Sequence, residues 1–122
     1  MLFAHIELEM NSQLIMPDGG SLGLDEDGHL DDPKEWSRAA AECFSAEDNI
    51  SLTAAHWLVL EILRDYFRDF GIEPPMRALV KEMKARGSEE IANSLDLYRL
   101  FPEGPVRQGS RYAGLPLPLS CI

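Results

Sequence analysis

Between Thr53 and Gly71 the chain places Trp57, Leu60, Leu63, Phe67 and Phe70 at helical spacing, with Val59, Ile62 and Tyr66 beside them. Apolar residues recurring every three or four positions mark one face of a helix, and a stripe this broad must be covered on several sides. Thr53 suits the cap and Gly71 the stop. A long helix over 54–70 is therefore predicted at the centre of the packing, and the rest of the chain has to wrap it.

The flanking segments supply helical cover. Asp32 as cap, Pro33 at the first helical position and Glu35 closing a D-x-x-E box predict a helix whose buried face is Trp36, Ala39, Ala40, Cys43 and Phe44. Pro75 opens a third helix with Met76, Leu79, Val80 and Met83 inward, and Gly87 stops it. A fourth is expected over about 89–100 and a fifth over 106–113, separated by Phe101-Pro102-Glu103-Gly104-Pro105. His56 reads as a first-turn residue without chemistry, and the methionines as core gap-fillers.

Ahead of the helices, Leu22 and Leu24 alternate before an Asp-Gly turn and Leu30 resumes the pattern, which predicts a tight hairpin over 21–30. The acidic DxDG there lacks the remaining ligands of a calcium loop, so turn chemistry is the better account. Residues 1–20 carry only a weak alternation at Ile6, Leu8 and Met10 and are expected to be an extension that adds at most a short strand. The expected fold is mostly α (α+β): a small orthogonal helical bundle with a short N-terminal β-hairpin and a flexible C-terminal arm. Its divisions are 1–20, the extension; 21–113, the body; and 114–122, the arm.

Charge narrows the function. With 11 basic against 21 acidic residues the net charge is −10, which argues against indiscriminate nucleic-acid binding. No apolar run approaches the ~20 residues of a membrane helix. The N-terminus has no basic region and meets Glu7 and Glu9 early, so no signal peptide is expected. A cytoplasmic monomer without cofactor, metal or membrane is the expectation.

The last nine residues, Gly114-Leu115-Pro116-Leu117-Pro118-Leu119-Ser120-Cys121-Ile122, are the chemical feature. Alternate prolines favour an extended, polyproline-like path that could reach ~25 Å at ~3.1 Å per residue. A thiol at the end of such an arm suits entry into another protein's pocket. An incidental cysteine at a frayed terminus and a disulfide to Cys43 stand beside that reading. With only one residue after Cys121, a prenyl anchor is excluded, and no nearby thiol makes a redox pair or zinc site.

Six blocks then become specific: Leu24-Asp25-Glu26-Asp27-Gly28; Pro33-x-x-Trp36; Leu52-Thr53-x-x-His56-Trp57; Phe70-Gly71-Ile72-x-Pro74-x-Met76-Arg77; Leu100-Phe101-Pro102-x-Gly104-Pro105; and Ala113-Gly114-Leu115-Pro116-x-Pro118-x-x-Cys121-Ile122. Over about residues 22–122 the chain resembles the DsrC/TusE family. The resemblance implies a sulfurtransferase-type persulfide carrier rather than a turnover catalyst, with sulfur carried on Cys121. It implies a donor complex of the TusBCD or DsrEFH type, an acceptor protein, and a place in tRNA 2-thiouridine synthesis. The DsrC branch, which works with sulfite reductase in dissimilatory sulfur metabolism, needs a second arm cysteine eleven positions earlier, and here that residue is Ser110. The one-cysteine carrier is favoured. Leu117, where the family arm commonly carries lysine, and the extension before residue 21 are departures.

A persulfide carrier works through its thiolate, so a cationic neighbour would help. Arg77, Lys81, Arg107 and Arg111 are the candidates. The competing class is a DNA-binding regulator. The second and third helices with their short turn resemble a helix-turn-helix, in which Arg77, Lys81, Lys84 and Arg86 would meet phosphates. That reading leaves the arm unexplained.

Overall fold

The computed structural model describes residues 13–88 and 90–119. In chain order they form β1 (Gln13–Ile15), β2 (Ser21–Gly23), a 3-10 turn (Pro33–Glu35), α1 (Arg38–Glu47), α2 (Ala54–Phe70), α3 (Met76–Ala85), α4 (Ser94–Leu100) and α5 (Pro105–Tyr112). The result is an α+β domain in which α2 packs on α5 and α3, α1 packs on α5 and β1, and α4 bridges α3 and α5.

Helix α2 behaves as its pattern dictates. Val59, Leu60, Ile62 and Leu63 are buried, while Phe70 at its end is 65% exposed. Thr53 caps it, and Gly71 ends it in the left-handed region at φ 72°. The cap is a reciprocal box whose returning side chain is His56, which accepts from the Thr53 amide at 3.0 Å. Helix α5 reaches α2 closely because Gly109 has no side chain: a Cβ there would lie 2.7 Å from Leu63 Cδ1. Around this pair, Phe44, Leu79, Met83, Leu97, Phe101 and Tyr112 complete the core. Each such side chain contributes roughly 1.5–3 kcal/mol by leaving water.

Several elements depart from expectation. The two-stranded antiparallel ladder pairs Gln13 with Gly23, Leu14 with Leu22 and Ile15 with Ser21. The hairpin is thus made by 13–23, with Met16-Pro17-Asp18-Gly19-Gly20 as its turn, and 24–30 closes with only an isolated bridge, Leu24 to Leu30. Leu14 is 1% exposed, so the strand is held by the core rather than by its three-residue ladder. The alternation at Ile6, Leu8 and Met10 lies outside the described residues.

The predicted first helix is two pieces. Asp32 accepts from the Lys34 amide and caps only the 3-10 turn, and Ser37 caps α1 through the Ala40 amide. Between them Trp36 is extended (φ −65°, ψ 144°), which carries its indole to the opposite end of the chain. Helix α4 begins five residues later than expected, because Asn93 caps it through the Leu95 and Asp96 amides.

Candidate functional site

Where α5 ends, the backbone turns sharply. Gly114 adopts φ 74°, its amide donates to Arg111 O at 3.3 Å, and the Leu115 amide donates to Ser110 O at 2.9 Å. This pair of bonds is the glycine-dependent closure known as a Schellman motif. It satisfies two of the carbonyls that a helix end leaves open.

Side chains from distant segments take the other two and one carbonyl beyond the helix. The Trp36 indole N–H donates to Tyr112 O at 2.7 Å, Arg64 Nη1 donates to Ala113 O at 2.7 Å, and His29 Nδ1 donates to Leu115 O at 2.8 Å. A carbonyl can only accept, so the proton of His29 sits on Nδ1. The Arg64 guanidinium also lies 4.1 Å from the Trp36 ring centroid, so two of the three clamping groups brace one another. Burial lowers the Arg64 pKa from its ordinary value. Arginine has so much margin that it remains a cation.

Beyond the clamp the segment continues along the body. Leu115 is 6% exposed, Leu117 is half-buried and Pro118 is buried; Leu119 then stands 87% exposed. A cleft of about 220 Å³ lies beneath, walled by Leu63, Phe67, Pro74, Leu115 and Leu117, with the buried Ser110 at its edge. The first half of the arm is therefore seated on its own domain. Apolar contact and the carbonyl bonds outweigh the extended reach that its prolines alone suggested. Cys121 lies outside the described residues.

The four candidate cations are not one cluster. Arg77 and Lys81 stand exposed on α3 and Arg107 is exposed on α5; none has a hydrogen bond or ion pair among the described residues. Arg111 is committed elsewhere. Its Nη2 lies 2.6 Å from Glu47 Oε1, its Nη1 lies 3.0 Å from Asp48 Oδ2, and its guanidinium is 4.9 Å from the Phe44 ring centroid. The same Asp48 oxygen accepts from Tyr112 Oη and Gln108 Nε2, tying α5 to the end of α1. Burial first, then the bond to Asp48, pushes the Tyr112 hydroxyl well above the usual tyrosine range.

Two further residues bear on chemistry. His56 is a cap and core linker: besides accepting from Thr53 it donates from Nε2 to Leu100 O at 2.9 Å, and burial lowers its pKa below 6.5. The threonine three residues before it was the signal for that role. Cys43 is half-buried against the core as a free thiol, its pKa raised by burial and then by Glu47 and Glu42. Among the described residues no group of side chains could hold a metal, and no helix is long and apolar enough to cross a membrane.

Fold and clamp together define a small α+β protein whose last helix is turned by a glycine into a strapped, proline-rich segment leading to a near-terminal cysteine. The chain belongs to the DsrC-like protein family, whose model matches residues 17–122. It is 39% identical over 109 residues to the sulfurtransferase TusE of Salmonella typhimurium, covering 89% of this chain and 100% of that protein. Its fold matches the oxidized γ-subunit of the dissimilatory sulfite reductase (DsrC) from Archaeoglobus fulgidus with a TM-score of 0.80 at 40% identity, over 90% of this chain and 99% of that one. It also matches Allochromatium vinosum DsrC with a TM-score of 0.76 at 38% identity, over 89% and 97% of the two chains.

Proposed function

We propose that this protein is a sulfur relay in which Cys121 accepts a persulfide sulfur from a donor protein and hands it to an acceptor, in the manner of a TusE-type sulfurtransferase serving tRNA 2-thiouridine synthesis. The observation that carries this reading is the identity to TusE along that protein's whole length, with the cysteine penultimate in this chain. In the loading step the Cys121 thiolate attacks the outer sulfur of the donor's R–S–SH. A new S–S bond forms, the donor's own S–S bond breaks, and the donor leaves as R–S⁻. In unloading, an acceptor thiolate takes the outer sulfur by the same exchange, so no external oxidant or reductant is consumed.

About 3% of an unperturbed thiol is ionised at pH 7, and a cationic surface beside it would raise that reactive fraction. Arg77, Lys81 and Arg107 remain the candidates on this chain, and the donor's pocket is the other source. Arg111, paired with Glu47 and Asp48, has less to offer.

A second reading, a partner of sulfite reductase, draws on the likeness to DsrC structures. Ser110 weighs against its two-cysteine form, because a hydroxyl cannot close the intramolecular disulfide. The helix-turn-helix reading is weakened by Arg86, whose guanidinium is held by Glu61, Asp65 and Glu82 rather than presented to phosphates. The test is mass spectrometry after incubation with a persulfide donor. The C-terminal peptide of the parent should gain about 32 mass units and that of Cys121→Ser should not; loading of the serine variant would defeat the proposal.

A further inference from the structure

A second groove, of about 560 Å³, opens between α1 and α2. Its walls carry two arginines set over two indoles: Arg38 sits 3.8 Å from the Trp57 ring centroid, and Arg64 sits 4.1 Å from that of Trp36. The two acids in the same groove are already engaged. Asp65 is held by Arg68 at 3.0 Å and Arg86 at 3.1 Å, and Glu61 by Arg86 at 3.4 Å.

Neither arginine is bonded to a carboxylate among the described residues, although Asp65 lies near enough to Arg64 to act on it electrostatically. Among the described residues Arg38 makes only its contact with Trp57, and Arg64 makes one hydrogen bond, to Ala113 O, which occupies Nη1 and no other nitrogen. In a chain with 21 acidic and 11 basic residues, two guanidiniums in one groove with no carboxylate bonded to either run against the overall charge. A guanidinium held over an indole is restrained by the ring, and the N–H donors it has not used can receive a carboxylate, at best through two parallel hydrogen bonds.

We infer that this groove is a docking site for an acidic side chain of the sulfur-donor protein, an inference that rests on the relay reading above. A net charge of −10 disfavours a polyanionic nucleic acid as the occupant and leaves room for a single carboxylate meeting a local cationic spot. Because Arg64 also holds Ala113 O, the docked group would touch the same guanidinium that fastens the root of the arm.

The test uses the isotope-labelled full chain, observed through the indole N–H resonances of Trp36 and Trp57 and titrated with a hexaglutamate peptide, inorganic phosphate and unmodified tRNA. The peptide should move both resonances in a saturable way, and Arg38→Glu should abolish the movement at Trp57. No movement with the peptide, or a larger one with phosphate or tRNA, overturns the assignment. In parallel, Arg38→Glu should weaken binding to a TusBCD-type donor complex at least tenfold, with a shallower salt dependence, and leave loading of Cys121 by a soluble persulfide unchanged. Undiminished binding by Arg38→Glu would overturn the groove. Failure of the parent to load from the soluble persulfide would instead overturn the relay.

Discussion

Gly114 lies so close to Trp36 that a Cβ on it would fall 2.5 Å from Cδ1 and 2.7 Å from Cγ of the indole. The contact joins the end of α5 to the break between the 3-10 turn and α1, and it explains why both residues are what they are. Gly114 must be left-handed to close the helix, and it must lack a side chain to admit the ring.

Gly114→Ala should therefore act twice, through an unfavourable φ and through a steric overlap. Together these should cost about 2–4 kcal/mol. Urea denaturation followed by Trp fluorescence would measure the loss. A cost below about 1 kcal/mol would mean that the indole moves aside easily.

Replacing Arg64 by Met keeps much of the stem's packing and removes the donor to Ala113 O. A charge-assisted bond to a partly buried carbonyl is worth about 1.5–3 kcal/mol. The expected signature is local: faster amide exchange at Gly114 and Leu115 with little change in the centre of α2. Uniform acceleration through α2 would instead assign Arg64 a general packing role.

His56 predicts a pH dependence. Its pKa is lowered by burial, so the unfolded chain binds the proton more readily than the native one. The stability it contributes is complete above its ordinary 6.5 and declines as the pH falls through that value toward the lower native pKa. His56→Gln can keep the capping box while losing the titration, the Nε2 bond to Leu100 and the edge contact with the Phe101 ring. The parent should be more stable at pH 7.5, and its advantage should shrink by pH 5.5. Parallel stability curves would contradict this.

The two thiols should differ sharply in reactivity. Cys43 is held in its neutral form by burial and by Glu47 and Glu42, so alkylation at pH 7.5 should modify Cys121 first and Cys43 slowly. Cys43→Ser should leave sulfur loading unchanged. A loss of loading in that variant would implicate Cys43 in the relay.

Much of this architecture was legible in the chain. The stripe from Trp57 to Phe70, the Thr53 cap and the Gly71 stop are local signals, and the structure obeys them. The break at Trp36 was hidden because Asp32-Pro33 is a sound helix opening; it opens only a 3-10 turn, since Trp36 must leave the helix to reach Tyr112. The clamp had no local signature, because His29, Trp36 and Arg64 meet carbonyls 86, 76 and 49 positions away. Arg111 carried the right charge for a thiolate partner, but its fate was set by Glu47 and Asp48 across the fold.

The burial of Pro118 places residues 114–118 with the folded body. To come away as a free strand, this segment would have to give up the bonds from Trp36, Arg64 and His29 together with its apolar seat. Several bonds lost at once cost more than any one of them, so the strap should open as a unit or stay shut.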